Sequence, residues 1–422
     1  MSKAKTQAIL DELLERVRSD PFADILSDAE RLTATLPSET RDFVIGVVQA
    51  LAVADFSTEG QAEADLSLVI TSADHAIRGS SPKHVFDIRE ADLDKLREDA
   101  REALSRIRNR VANLYDERGN PNDIRRELFS IGRELTDLLP QKLRQLLESP
   151  KLTRLHLDIA PQIDFPIELV LVDTDESEVL LSGRAEISRW YTESPGFYHE
   201  KNYKIQHAAL AVGRLSNAAK FQSEEQAIGA VVQGETTRIT SRGELFEKVF
   251  TKKEHQLLHY KGHIAKQVQQ KVRGSITQAP PTLSFAKGDG LKLTDIGVVK
   301  KERCFFENSP VIFLNGCDSA LTASLIGGET TFPEKFLSVQ CAAVVATIWE
   351  VSEVPASEFT RAFYQELQQG TRISLALKLA REDVLKKAAA YSATDNLEFL
   401  KYFLTAHGYV YYGPADLTIS FD

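Results

Sequence analysis

Residues 310–317 read "PVIFLNGC" and residues 255–263 read "HQLLHYKGH". Each is an apolar, partly β-branched run of strand length that stops on a glycine and then presents a reactive side chain, Cys317 in the first and His263 in the second. Either ending alone has a plain reading, because buried free cysteine is common and inert and a strand-end histidine is often only a satisfied structural group. What the two endings mean depends on whether the two strands are neighbours.

The surrounding sequence supplies further strands. "RLHLDI", "IELVLVD", "IQHAALAVG" and "AAVVATIW" are short apolar runs separated by helical stretches such as "SEEQAIGAVVQG" and "SRGELFEKVF". Strands alternating with helices imply an α/β fold, with a mainly parallel sheet covered on both faces. In such sheets chemistry gathers at the carboxyl ends of the strands, where Cys317 and His263 both fall. Towards the C-terminus, "SEFTRAFYQELQQG", stopped by Gly370, and "ISLALKLAREDVLKKAAA" read as two amphipathic helices. Another helix is expected from about Asp123 to Leu147, bent or broken near Pro140.

Upstream the texture is helical from the start to about Arg118. "QAILDELLERV" and "DLDKLREDAREALSRIRNRVANL" carry apolar residues at i, i+3, i+4, with charges outside, and "SADHAIRGSSPKH" reads as a loop between helices. No self-similarity supports a helical repeat array. "DERGNPND" supplies a helix stop at Gly119 and a start at Asn120-Pro121. The sequence therefore divides into an all-helical N-terminal module, residues 1–118, and an α/β domain, residues 119–422.

Composition narrows the class. With 43% hydrophobic and 27% charged residues in 422, the chain is of ordinary globular type, and its formal net charge of -10 argues against direct nucleic-acid binding as its main task. No apolar stretch reaches membrane-span length, and "MSKAKTQAIL" lacks a signal-peptide core, so a cytoplasmic location is expected. Three cysteines, Cys304, Cys317 and Cys341, fit a reducing compartment and lack zinc-site spacing.

His263 stands 54 residues before Cys317, close to the roughly 50-residue His-to-Cys interval of caspases. Beyond spacing, "DFPIELVL", "ISRWY", "LLHYKGH", "FLNGCDSA", "AAVVATIWEVSEVPASEFTRAFYQELQQG", "ISLALKLAR" and "FLTAHGYVYYG" resemble, in order, segments of the CHAT family of caspase-like proteases, relatives of separase. The resemblance runs from about Asp123 to the end and does not cover the helical region before it. It implies a caspase-like fold and a cysteine endopeptidase, with His263 as general base, Cys317 as nucleophile, and backbone N–H groups of Cys317 and Ile264 as the oxyanion hole. Many relatives have glycine where this chain has Ile264, which would matter if the backbone there needed an unusual φ. No metal or organic cofactor is implied.

The resemblance also points to a pocket. Glu350 and Glu353 sit where separase-like relatives carry acidic residues suited to a basic side chain, whereas Asn315 sits where several basic-specific members have Asp. Asp318 reads as a pocket acid or a turn residue, and Trp349 as an apolar anchor near the pocket. Together they favour a basic or large neutral residue before the cut bond and disfavour aspartate. His259 is expected to be structural or supporting, His255 solvent-facing, His407 a turn marker, and Cys304 and Cys341 packing residues. "IAKQVQQKVRGSITQAPPTL" reads as a mobile loop that could be cut between Lys266 and Pro280 during activation. The expected partners are a protein substrate and a protein or ribonucleoprotein trigger that binds the helical module, with no membrane and no direct nucleic acid. The resemblance implies regulated proteolysis in bacterial immunity or programmed death. The alternative from another class is an interaction scaffold that binds a protein without cutting it.

Overall fold

A computed structural model gives the fold. It describes residues 64–71, 76–81, 84–88, 93–115, 120–159, 165–174, 177–191, 202–213, 218–251, 255–265, 269–272, 275–278, 281–285, 289–296, 309–317, 319–320, 323–325, 328–391 and 396–421. The strands of its central sheet are β1 (Ala64–Thr71), β2 (Ala76–Ser81), β3 (His84–Ile88), β4 (Leu152–Ile159), β5 (Glu186–Tyr191), β6 (Ala208–Val212), β7 (Thr236–Ile239), β8 (Leu257–Lys261), β9 (Val311–Asn315), β10 (Ala343–Thr347) and β11 (Tyr409–Tyr412). They lie in the order β7-β6-β8-β9-β10-β11-β5-β4-β1-β2-β3. Neighbours run parallel except at β10–β11, β1–β2 and β2–β3.

The longer helices are α1 (Leu93–Tyr115), α2 (Pro121–Leu138), α3 (Gln141–Glu148), α4 (Ala218–Val231), α5 (Glu353–Gln368), α6 (Ile373–Tyr391) and α7 (Asn396–Gly408). Every residue of β6, β8, β9 and β10 is buried. Because side chains alternate across a strand, that pattern requires cover on both faces, as the unbroken apolar runs predict. Local signals act as expected. Asn120 caps α2 by accepting from the Asn122 N–H at 3.0 Å, Pro140 separates α2 from α3, and Gly370 takes φ +76° after α5.

The N-terminal part departs from its helical reading. Residues 1–63 lie outside the described residues, and α1 is a helix as expected, but residues 64–71, 76–81 and 84–88 are strands that extend the central sheet, β1 pairing parallel to β4. The reason is visible in "ADLSLVIT": Leu66 and Leu68 are both buried, an alternation of period two that outweighs the helical texture on either side. "IELVLVD" also departs. It forms a 3-10 turn, Ile167–Leu169, and a short strand, Leu171–Asp173, paired with Glu178–Leu180 outside the main sheet. The expected mobile loop contains an antiparallel hairpin, Gln269–Val272 with Ser275–Gln278, since β-propensive runs flank a two-residue Arg-Gly connection. Among the described residues no helix is long and apolar enough to cross a membrane.

A buried ion pair ties the 3-10 turn to the sheet: Arg189 on β5 donates from Nε to Glu168 Oε1 at 2.7 Å and pairs again with Oε2, both side chains being 2% exposed. Removing one partner strands the other charge in the core. Arg189→Met is expected to lower stability by about 3–5 kcal/mol in equilibrium guanidinium denaturation, and Glu168→Leu added to it to recover most of the loss. Equal stability of the single and double variants would contradict this.

Candidate active site

The register of two strands builds the site. β8 pairs parallel to β9 from Leu257↔Val311 to Lys261↔Asn315, a constant offset that one more pleat carries to His263 and Cys317. The ladder continues past the strand ends: Gly213 N–H donates to Lys261 O at 2.7 Å and Gly262 N–H to Asn315 O at 3.3 Å. Glycine is required here by contact. A Cβ on Gly262 would stand 2.6 Å from the Gly213 Cα, and one on Gly316 would stand 2.8 Å from the Gly262 carbonyl oxygen. Backbone therefore packs on backbone just before each reactive side chain.

Other groups fix the two turns. The Tyr260 hydroxyl lies 2.9 Å from the carbonyl oxygens of both His263 and Ser284, and burial pushes its pKa up, so it stays a protonated donor. Ser284 N–H donates to His263 O at 3.2 Å, which turns the His263 carbonyl towards that neighbouring strand and, across the trans peptide, the N–H of Ile264 away from it. Ile264 begins an extended segment, Ile264–Ala265, and is absent from the non-glycine residues with positive φ, so isoleucine fits without strain. On the other strand, Thr347 Oγ1 donates to Gly316 O at 2.6 Å and Ser319 Oγ to Leu314 O at 3.2 Å.

His263 is exposed and Cys317 half-buried, and both line one cleft of about 350 Å³. Buried Lys261 and Asn315 form its floor, Glu350 to Val354 one wall, and Glu398 and Lys401 of α7 the rim. Glu350 and Glu353 thus line the cleft. Trp349 does not: it is fully buried, its Nε1 donates to Leu404 O at 2.9 Å, and it anchors the wall from behind instead of lining it. A large ring at the end of an all-buried strand is drawn into the core. Asp318 and Cys304 lie outside the described residues. Cys341 is buried packing, and His407, also buried, hydrogen-bonds Ser182 Oγ at 2.7 Å at the end of α7. His255 is buried, contrary to expectation, with Nδ1 3.3 Å from Lys248 O.

Beneath the cleft lies a group that the sequence reading overlooked. Glu224 of α4 is fully buried and accepts from Lys261 Nζ (2.5 Å) and Ser357 Oγ (2.5 Å) on one oxygen, and from His259 Nε2 (3.1 Å) and Asn315 Nδ2 (2.9 Å) on the other. His259 Nδ1 accepts from Tyr364 OH at 3.1 Å, and Asn315 completes its bonding with Thr360 Oγ1 (3.2 Å) and Tyr409 OH (2.8 Å). The signal was present in α4. Phe221, Glu224, Ile228 and Val231 share one buried stripe, so a carboxylate occupies a core position. Burial raises the Glu224 pKa, but the Lys261 charge and the His259 and Lys261 hydrogen bonds outweigh it and hold the carboxyl at about 2. Burial lowers the pKa of His259, which stays neutral. Among the described residues no cluster of His, Cys, Asp and Glu could hold a metal ion.

This is an α/β protein of the kind in which adjacent parallel strands bring a histidine and a cysteine to one cleft. The sequence pattern of the CHAT domain matches residues 130–396, and the chain belongs to the CHAT domain family. No curated protein matches the sequence. Solved structures with partial likeness include the Arg-specific cysteine proteinase gingipain R (RgpB) of Porphyromonas gingivalis, 11% identical over 67% of this chain and 69% of that one, TM-score 0.41. Another is the Saccharomyces cerevisiae separase–securin complex, 12% identical over 100% of this chain, TM-score 0.46. The chain spans 34% of the length of that structure's chain.

The Glu224 carboxyl, at about 2 in the fold against an ordinary value of 4.5, contributes stability that is fully present above about pH 4.5 and fades as pH falls towards 2. Glu224→Gln leaves Lys261 without its counter-charge. The variant is expected to be less stable than wild type at pH 7, with the difference shrinking between pH 4.5 and pH 2 in denaturant titrations. A difference independent of pH would contradict the assigned ionisation.

Proposed function

We propose that the protein is a cysteine endopeptidase in which His263 and Cys317 act as a dyad, and the observation that carries this is the shared β8–β9 register that sets the two residues opposite each other. His263 takes the Cys317 thiol proton, and the thiolate attacks the scissile carbonyl carbon. The resulting oxyanion is held by the N–H groups of Cys317 and Ile264, the latter turned to the open edge of its strand. His263 then gives the proton to the leaving amine as the C–N bond breaks, leaving an acyl-thioester on Cys317. Water, deprotonated by His263, hydrolyses that thioester and frees the acid and the thiol. No step calls on a metal or organic cofactor.

Asn315, Glu350, Glu353 and, next to Cys317 in sequence, Asp318 are the pocket residues of this proposal. Of the two side-chain classes that the sequence favours before the cut bond, the wall acids support the basic one and the floor supports the neutral one. The substrate is a protein, as is fitting for an intracellular enzyme of regulated proteolysis in bacterial immunity or programmed death.

Residues 1–118 serve in this reading as the regulatory part that receives a protein or ribonucleoprotein trigger. One contact of α1, and two of α2 just across the boundary at residue 118, support such coupling. Arg108 of α1 donates from Nε to Ile348 O at 2.6 Å, one residue before Trp349 and the wall. Phe129 of α2 stacks on Phe403 of α7 (6.2 Å) and Arg125 lies over Phe399 (4.9 Å), on the helix that carries Glu398 and Lys401. A trigger that shifts α1 and α2 would thus move both sides of the cleft.

Co-expression with the proteins encoded beside it, read by N-terminal mass spectrometry, tests the activity. Wild type is expected to produce new fragments, and Cys317→Ala and His263→Ala each to reduce them by at least about a thousandfold. Unchanged fragments in Cys317→Ala would overturn the dyad. A biological effect that survives Cys317→Ala in the absence of cleavage would identify a non-cutting scaffold.

A further inference from the structure

The floor of the cleft carries a lysine whose hydrogen-bonding capacity is not used up. Lys261 and Asn315 are a register pair two residues before His263 and Cys317, so a side chain descending from a carbonyl at Cys317 meets them about 7 Å down. Asn315 has no donor left for a substrate oxygen: its two Nδ2 hydrogens go to Glu224 and Thr360, and Oδ1 accepts from Tyr409. Glu224 already accepts four hydrogen bonds, filling both carboxylate oxygens. The Lys261 ammonium has three N–H donors and, among the described residues, bonds Glu224. Its side chain, 6% exposed, lines the cleft.

We infer that Lys261 is a specificity-determining residue whose ammonium reads the side chain before the cut bond, and that the group it reads is an uncharged acceptor, the side-chain amide oxygen of glutamine. This rests on the peptidase reading. Arginine or lysine would bring a second cation against the ammonium in a weakly screened site. Leucine or methionine would cover the ammonium without giving it an acceptor, leaving buried donors unsatisfied. Glutamate would bring an unneeded negative charge to a floor that Glu224 has already neutralised, below a wall that holds Glu350 and Glu353. Asparagine is one methylene too short for the depth. The wall acids then face substrate residues on either side of the one that enters the floor.

Four peptidyl acyloxymethyl ketones that differ only in the residue next to the ketone (Gln, Leu, Arg or Glu) test this on the full chain. The Cys317 thiolate displaces the acyloxy group as a carboxylate and forms a thioether, and intact mass reads the rate. The glutamine probe is expected to label wild type at least about tenfold faster than the other three, a difference of about 1.4 kcal/mol. In Lys261→Met the advantage passes to the leucine probe. Fastest labelling by the arginine, glutamate or leucine probe in wild type overturns the inference alone, as does a glutamine preference unchanged in Lys261→Met. Failure of all four to label Cys317 overturns the peptidase reading and this inference with it. If Lys261→Met does not fold, the wild-type ranking decides.

Discussion

Everything at the cleft depends on how two parallel strands end. β8 and β9 keep one register along their paired length, and backbone packs against backbone at Gly262 and Gly316, where any side chain would meet main-chain atoms. A register slip of one residue would turn His263 and Cys317 to opposite faces of the sheet. The glycines let the strand ends approach closely, Tyr260 pins the His263 carbonyl, and Thr347 pins that of Gly316. His263 and Cys317 can therefore stand at the cleft and still be held by two fully buried strands.

The same close approach creates a difficulty one pleat below, where Lys261 and Asn315 face the interior. An ammonium buried without a partner would cost several kcal/mol, and the fold answers with Glu224 from α4. Four donors on one carboxylate make that answer complete and bind α4, β8, β9 and α5 into one unit. Polar residues in a core specify an arrangement only when all of them are satisfied, and here the satisfied set lies directly under the cleft. Within that set, the lysine at the cleft keeps donors to spare among the described residues.

Much of this was legible in the chain. The strand endings at His263 and Cys317, the break at Pro140, the stop at Gly370 and the parallel sheet follow from local pattern, because each is fixed by residues within a few positions of one another. Three things were not. β1 to β3 are hidden by helical texture on both sides, and their place is decided by pairing with β4, far along the sequence. Glu224 looks like a solvated helix charge until the burial of Phe221 and Ile228 on the same stripe is weighed. Trp349 was placed near the pocket by its neighbours in sequence, whereas the hydrogen bond that fixes its ring is donated to the carbonyl of Leu404, in a distant helix. What escaped was in each case set by contacts between distant segments.

The central claim is that His263 and Cys317 act on one proton. The most direct measurement is the rate of Cys317 alkylation by iodoacetamide as a function of pH, in wild type and in His263→Ala, read by intact mass with peptide mapping. The account predicts that wild type reacts well below the pH at which an ordinary thiol ionises, near 8.5, and that His263→Ala moves the profile up to that value. Superimposable profiles would contradict it, since the histidine would then have no influence on the thiol.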